Sequence, residues 1–185
     1  MTNLIRRPIV LAAASILLAA GTYAQDTKPG QIDFGQFSPP TSGGEFVEVN
    51  ISDNLISMVA RLAEKAEPDA AELLRGIKRV HVAVIGLDDE NRAEIKSRVA
   101  GIRAQLDKNG WERIVTAQKK DEDIGVYIKL RGSEAVEGLA VTVVDGDKQA
   151  VFVNVVGNIQ PEKVVALGEK LNIDPLKKVG EALRK

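Results

Sequence analysis

No cysteine occurs in this chain, and histidine and tryptophan occur once each. The missing thiols exclude disulfide staples, thiolate nucleophiles, cysteine zinc sites and iron–sulfur clusters. A lone imidazole, His81, cannot build a usual transition-metal site with ligands of its own kind. It also lacks a partner for hydrolysis, because no serine stands in a Gly-x-Ser-x-Gly elbow. Phosphate-binding loops are absent too: Gly43-Gly44 lacks the lysine and spacing of a P-loop, and Gly157 lacks the dinucleotide fingerprint. No cofactor and no catalytic residue is therefore expected. An excess of positive charge is also lacking. The 25 basic and 26 acidic residues nearly balance, which leaves no electrostatic footprint for nucleic acid.

Carboxylates are plentiful but poorly placed for calcium. Asp121, Glu122 and Asp123 fall in one expected hairpin loop, and Asp145 and Asp147 in another. Those loops lie two strand spacings apart, roughly 10 Å, whereas calcium oxygens stand at about 2.3 to 2.6 Å. Solvated turns are the better reading, with Lys119, Lys120 and Lys148 interleaved. Asp88, Asp89 and Glu90 read likewise as a helix cap. No metal site is expected.

The first two dozen residues have a definite pattern. Arg6 and Arg7 precede an apolar run from Ile9 to Ala20, and Thr22-Tyr23-Ala24 offers small side chains to a signal peptidase. Cleavage is expected between Ala24 and Gln25. Twelve helical residues reach only about 18 Å against a hydrocarbon core of roughly 30 Å, so the segment suits a signal better than an anchor. Without a cysteine at the cleavage site, no lipid is attached. The expected product is an exported, periplasmic protein of charge −3, since the signal removes two basic residues and no acidic one, with no transmembrane segment in the mature chain.

From residue 25 to 45, Pro29, Gly30, Gly35, Pro39, Pro40, Gly43 and Gly44 suggest a flexible leader, pinned at most by Phe34 and Phe37. The rest reads as one α+β domain over residues 46–185. Val47, Val49 and Ile51 alternate with polar residues as in a half-buried strand. Ser52-Asp53 caps a helix and Pro68 opens a second. Arg79 to Leu87 is the next strand, and a long helix follows with Ile95, Val99, Ile102 and Leu106 buried, ending at Asn109-Gly110. Four strands come next, at Trp111–Gln118, Ile124–Arg131, Val136–Val144 and Lys148–Val156, and their short connections imply an antiparallel meander. Pro161 and Asp174-Pro175 open two final helices. The order β-αα-β-α-ββββ-αα implies a single two-layer domain, a mainly antiparallel twisted sheet with helices on one face.

The stretches Gly110-Trp111-Glu112, Val126-Tyr127-Ile128-Lys129, Gly138 to Asp145 and Val151 to Ile159 resemble a known group, the domain-of-unknown-function family 4252. Phe46 to Ile51 and the two helices after it fit as well. Its members are small exported bacterial proteins of unassigned activity, so the resemblance implies relatives and fold without transferring any site residue.

Alternation divides the strand residues into two sets. If the valine-rich set at 80, 82, 84, 126, 141, 143, 151, 153 and 155 meets the helices, then Arg79, His81, Tyr127, Lys129, Phe152 and Asn154 share the opposite side. Such a mixture of aromatic and basic groups suits contact with an envelope protein partner or a second copy. A half-solvated face partly covered by the leader is the alternative. The expected function is a non-catalytic interaction module, with a periplasmic enzyme or small-ligand carrier, its pocket between helices and sheet, as the other reading.

Overall fold

The computed structural model describes residues 28–120, 122–132 and 135–159. In chain order these give β1 (Phe46–Ser52), α1 (Asp53–Ala63), α2 (Pro68–Gly76), β2 (Ile77–Gly86), α3 (Arg92–Lys108), β3 (Glu112–Lys119), β4 (Glu122–Arg131), β5 (Ala135–Asp145) and β6 (Gln149–Ile159). The expected signal and the helices expected from Pro161 and Asp174 lie outside the described residues.

The strands form a six-stranded antiparallel sheet in the order β1-β2-β6-β5-β4-β3. The last four strands make the expected meander, and β2 pairs with the free side of β6 and carries β1 at the edge. The class is α+β. Helices, however, lie on both faces rather than one. On one face Ile56 of α1 and Leu73 of α2 join a core with Val126, Leu139, Val141, Val153 and Val155. On the other, Ile95, Val99, Ile102 and Leu106 of α3 pack on Tyr127, Ala140, Val144 and Phe152. The reason is chain geometry: α3 leaves β2 at one sheet edge region and must reach β3 at the opposite edge. A crossing over the face not used by α1 and α2 makes that connection.

Local signals explain the element ends. Pro68 starts α2, where its missing N–H costs no helical bond. Before α3, Asp88 accepts the backbone N–H groups of Glu90 and Asn91, and the Asn91 side chain accepts the Asp88 N–H in return. These bonds, with those from Ser42, hold the Asp88 carboxyl below its ordinary pKa. α3 ends at Gly110, whose φ of 70° is a left-handed stop.

Residues 28–45 depart most from expectation. This leader is not a free tether: it lies along the α3 side of the sheet with Phe34 only 3% exposed and Ile32 and Phe37 packed beside it. Its glycines serve close packing. Gly30 has φ of 80°, and a Cβ there would stand 2.0 Å from the Glu137 carbonyl oxygen. Burying Phe34 alone contributes about 1.5–3 kcal/mol, enough to offset the ordering of one or two residues.

Candidate functional site

The alternation of the strands is correct: His81, Tyr127, Phe152 and Asn154 share one face. That face is nevertheless closed, and each of the six residues expected to meet a partner is engaged within the chain. Asn154, 1% exposed, is the clasp of the leader. Its Nδ2 donates to the carbonyls of Gly30 (3.0 Å) and Leu139 (3.1 Å), and its Oδ1 accepts the Ile32 N–H at 3.0 Å. A buried amide so fully used is a fixed structural element.

Phe152 is covered by two leader rings, Phe34 at 5.5 Å and Phe37 at 4.8 Å between centroids. Phe34 also lies 5.4 Å from the His81 ring. Arg98 of α3 holds this aromatic group down, with its guanidinium 4.8 Å over Phe37 and a 2.6 Å bond to the Gln36 carbonyl. His81 Nε2 meets Glu48 Oε1 at 3.0 Å, and Arg79 donates to Asn50 Oδ1 at 3.0 Å, so both tie β2 to β1. Lys129 donates to the carbonyls of Asn109 and Gly110, satisfying the end of α3. Tyr127 is fully buried beneath α3, with Arg113 5.1 Å over its ring. Burial raises its phenol above the ordinary pKa.

A second polar group locks α3 to the sheet. Arg103 Nη1 donates to both carboxylate oxygens of Asp123, at 2.9 and 2.8 Å, and its Nε donates to Thr142 at 3.0 Å. Among the described residues the other hairpin carboxylates are also ion-paired: Asp147 with Arg92 at 3.0 Å, Asp145 with Lys148 at 3.6 Å and Glu122 with Lys119 at 3.2 Å. Among the described residues, no three histidine or acidic side chains converge to hold a metal.

Two open clefts flank this face. One, about 740 Å³, runs between the leader and the sheet end and is lined by Lys78, Arg79, Arg131 and Glu137, among others. The second, about 600 Å³, lies between α3 and the two hairpin loops, against Arg103, Asp123 and Asp147. In both, most charged groups already have opposite partners.

The accessible apolar surface lies on the other side of the sheet. α1 carries two stripes: Ile56 and Ala60 are buried, while Leu55, Met58, Val59 and Leu62 are exposed, Leu62 to 75%. Val47 and Val49 of β1 are about 40% exposed, on the same face as Ile51, Val80 and Val82. Sequence reading missed this surface because it took α1 only as a capped helix of regular apolar spacing and did not separate a buried stripe from an exposed one. The available signal was width: Leu55, Ile56, Met58, Val59, Ala60, Leu62 and Ala63 cover more arc than one buried stripe requires.

No curated protein and no solved structure matches the chain. A family model does, described as Domain of unknown function (DUF4252), over residues 42–167, which takes in β1 to β6 and excludes most of the leader. The match spans well over half of the chain, and the chain belongs to the DUF4252 family.

Proposed function

We propose that this is an exported, non-catalytic interaction module of the bacterial envelope, and that it docks through α1 and β1 rather than through the face bearing His81 and Phe152. The exposed stripe Leu55, Met58, Val59 and Leu62 carries this reading. Lone exposed leucines are ordinary, but four apolar side chains in one stripe, on the same side of the sheet as the exposed Val47 and Val49, are of the kind that marks interaction sites. The Arg6-Arg7 region, the apolar run and the small residues ending at Ala24 support export.

The test is site-specific photo-crosslinking in the periplasm of an expressing bacterium. A crosslinker at Met58 is expected to trap a protein, and one at exposed Lys108 is not. Equal trapping at both sites, or none at Met58, refutes the docking surface. Intact mass of the recovered protein checks export, with residue 25 expected at its start.

The carrier reading has one observation in its favour, the cleft beneath α3. Most of its charged wall residues are already ion-paired, so a ligand would have to displace those partners before binding. The apolar stripe has no such competition within the described residues, and the interaction reading is preferred.

A further inference from the structure

We infer that the partner at this surface is a second copy of the chain, joined edge to edge through β1 in an antiparallel register centred on Val49. The inference rests on the interaction reading above and gives that reading an occupant.

The sheet has two edges, and they differ. β3 is guarded: its pairing with β4 is interrupted by a register shift between Arg113 and Val115, and it carries Glu112, Arg113 and Lys119. Bulges and charges of this kind discourage strand addition. β1 has no bulge and little charge. Its pairing with β2 runs unbroken from Phe46 to Ser52, whereas each of the other four strand pairs contains a shift. It has no proline, and Glu48 is its one charge. An unguarded edge with exposed valines is a template for another strand.

The register follows from which backbone groups are free. Gly86 N–H donates to the Glu45 carbonyl, so odd-numbered residues of β1 turn their backbone groups toward β2. Phe46, Glu48, Asn50 and Ser52 therefore present theirs at the edge. Antiparallel pairing of two copies must bond even residues to even residues. Centring on Val49 does so, setting Glu48 opposite Asn50 and Phe46 opposite Ser52. The Glu48 and Asn50 backbones then supply about four bonds across the axis.

Side chains agree with this choice. Val49 meets Val49, and Val47 meets Ile51, extending the apolar face. On the reverse side a carboxylate faces an amide, and Asn50 already donates to Glu48 within one chain at 3.4 Å. Moving the centre to Glu48 would set two carboxylates opposite each other, which is unfavourable. The α1 stripe lies on the valine side, so each copy brings its exposed leucines to the same side of the joined sheet. Two-fold symmetry closes the contact and leaves no strand free to propagate from β1.

A chain without cysteine makes the test clean. At a non-hydrogen-bonded pair the Val49 Cα atoms stand about 4.5 Å apart, within disulfide reach. The Glu48 Cα atoms would be about 8 Å apart, beyond it. The full exported chain carrying Val49→Cys is expected to form a disulfide-linked dimer under mild oxidation, and Glu48→Cys is expected to remain uncrosslinked. Sedimentation equilibrium of the unaltered chain should show a dimer, and Val49→Lys, checked for folding by circular dichroism, should raise its dissociation constant at least about tenfold, equivalent to 1.4 kcal/mol. A monomer at tens of micromolar, crosslinking at Glu48 but not Val49, or an undiminished dimer in Val49→Lys overturns the inference. If Val49→Lys does not fold, the two cysteine variants decide alone. A monomer whose Met58 crosslinker traps a different protein refutes the second copy while preserving the interaction reading. A monomer that traps nothing refutes both.

Discussion

Replacing Asn154 by alanine should release the leader before it unfolds the domain. The side chain makes three buried hydrogen bonds, two of them to the leader, at Gly30 and Ile32. Each net bond is worth about 0.5–1.5 kcal/mol, so the leader loses about 1–3 kcal/mol of attachment. That corresponds to a rise of roughly 5- to 150-fold in the open population. Hydrogen exchange is the direct assay, since the Ile32 amide is itself one of the bonded groups. Its exchange should accelerate by that factor, with Val153 and Val155 in central β6 changing less. Asn154→Asp should act more strongly than Asn154→Ala, because it would turn carboxylate oxygens toward the Gly30 and Leu139 carbonyls. Unchanged Ile32 exchange alongside a lowered melting temperature would refute the clasp and make Asn154 an ordinary core residue.

Two further outcomes follow from the same face. Asp123→Ala should destabilise the domain by about 1–3 kcal/mol in urea unfolding, because it leaves the half-buried Arg103 guanidinium without its carboxylate, and a joint Arg103→Leu and Asp123→Ala change should recover part of that loss. No recovery would show that the pair itself contributes the stability. Tyr127 has a folded pKa above 10, so the stability linked to its neutral phenol is complete below pH 10 and is lost as pH rises through the folded value. Tyr127→Phe should therefore flatten the alkaline decline of the unfolding free energy, and an identical decline in both proteins would refute the assignment.

Much of the architecture was legible because it is set by local rules. Alternation correctly placed His81 with Phe152, and the Asp145-Gly146 turn correctly announced the β5–β6 hairpin. What alternation cannot say is which element lies above a face. The valine set seemed the natural partner of every helix, yet α3 and the leader cover the aromatic set, leaving Val47 and Val49 exposed at the edge. The leader was misread for a related reason. Glycine permits both flexibility and contact between backbones, and only coordinates reveal that Gly30 rests against Glu137 and Gly138. The candidate site moved because the polar side chains expected to be free for a partner proved to be the domain's own fastenings.

The leader's fastening also sets an order of assembly. Its Gly30 and Ile32 are held by a residue 124 and 122 positions later, so the first described stretch to be synthesised waits for nearly the last. The loop that must close is long, and the Asn154 clasp forms only once β6 is in place. Until then Phe34 and Phe37 also lack the Phe152 ring they pack on, a period in which a chaperone that grips aromatic segments would find them less well covered.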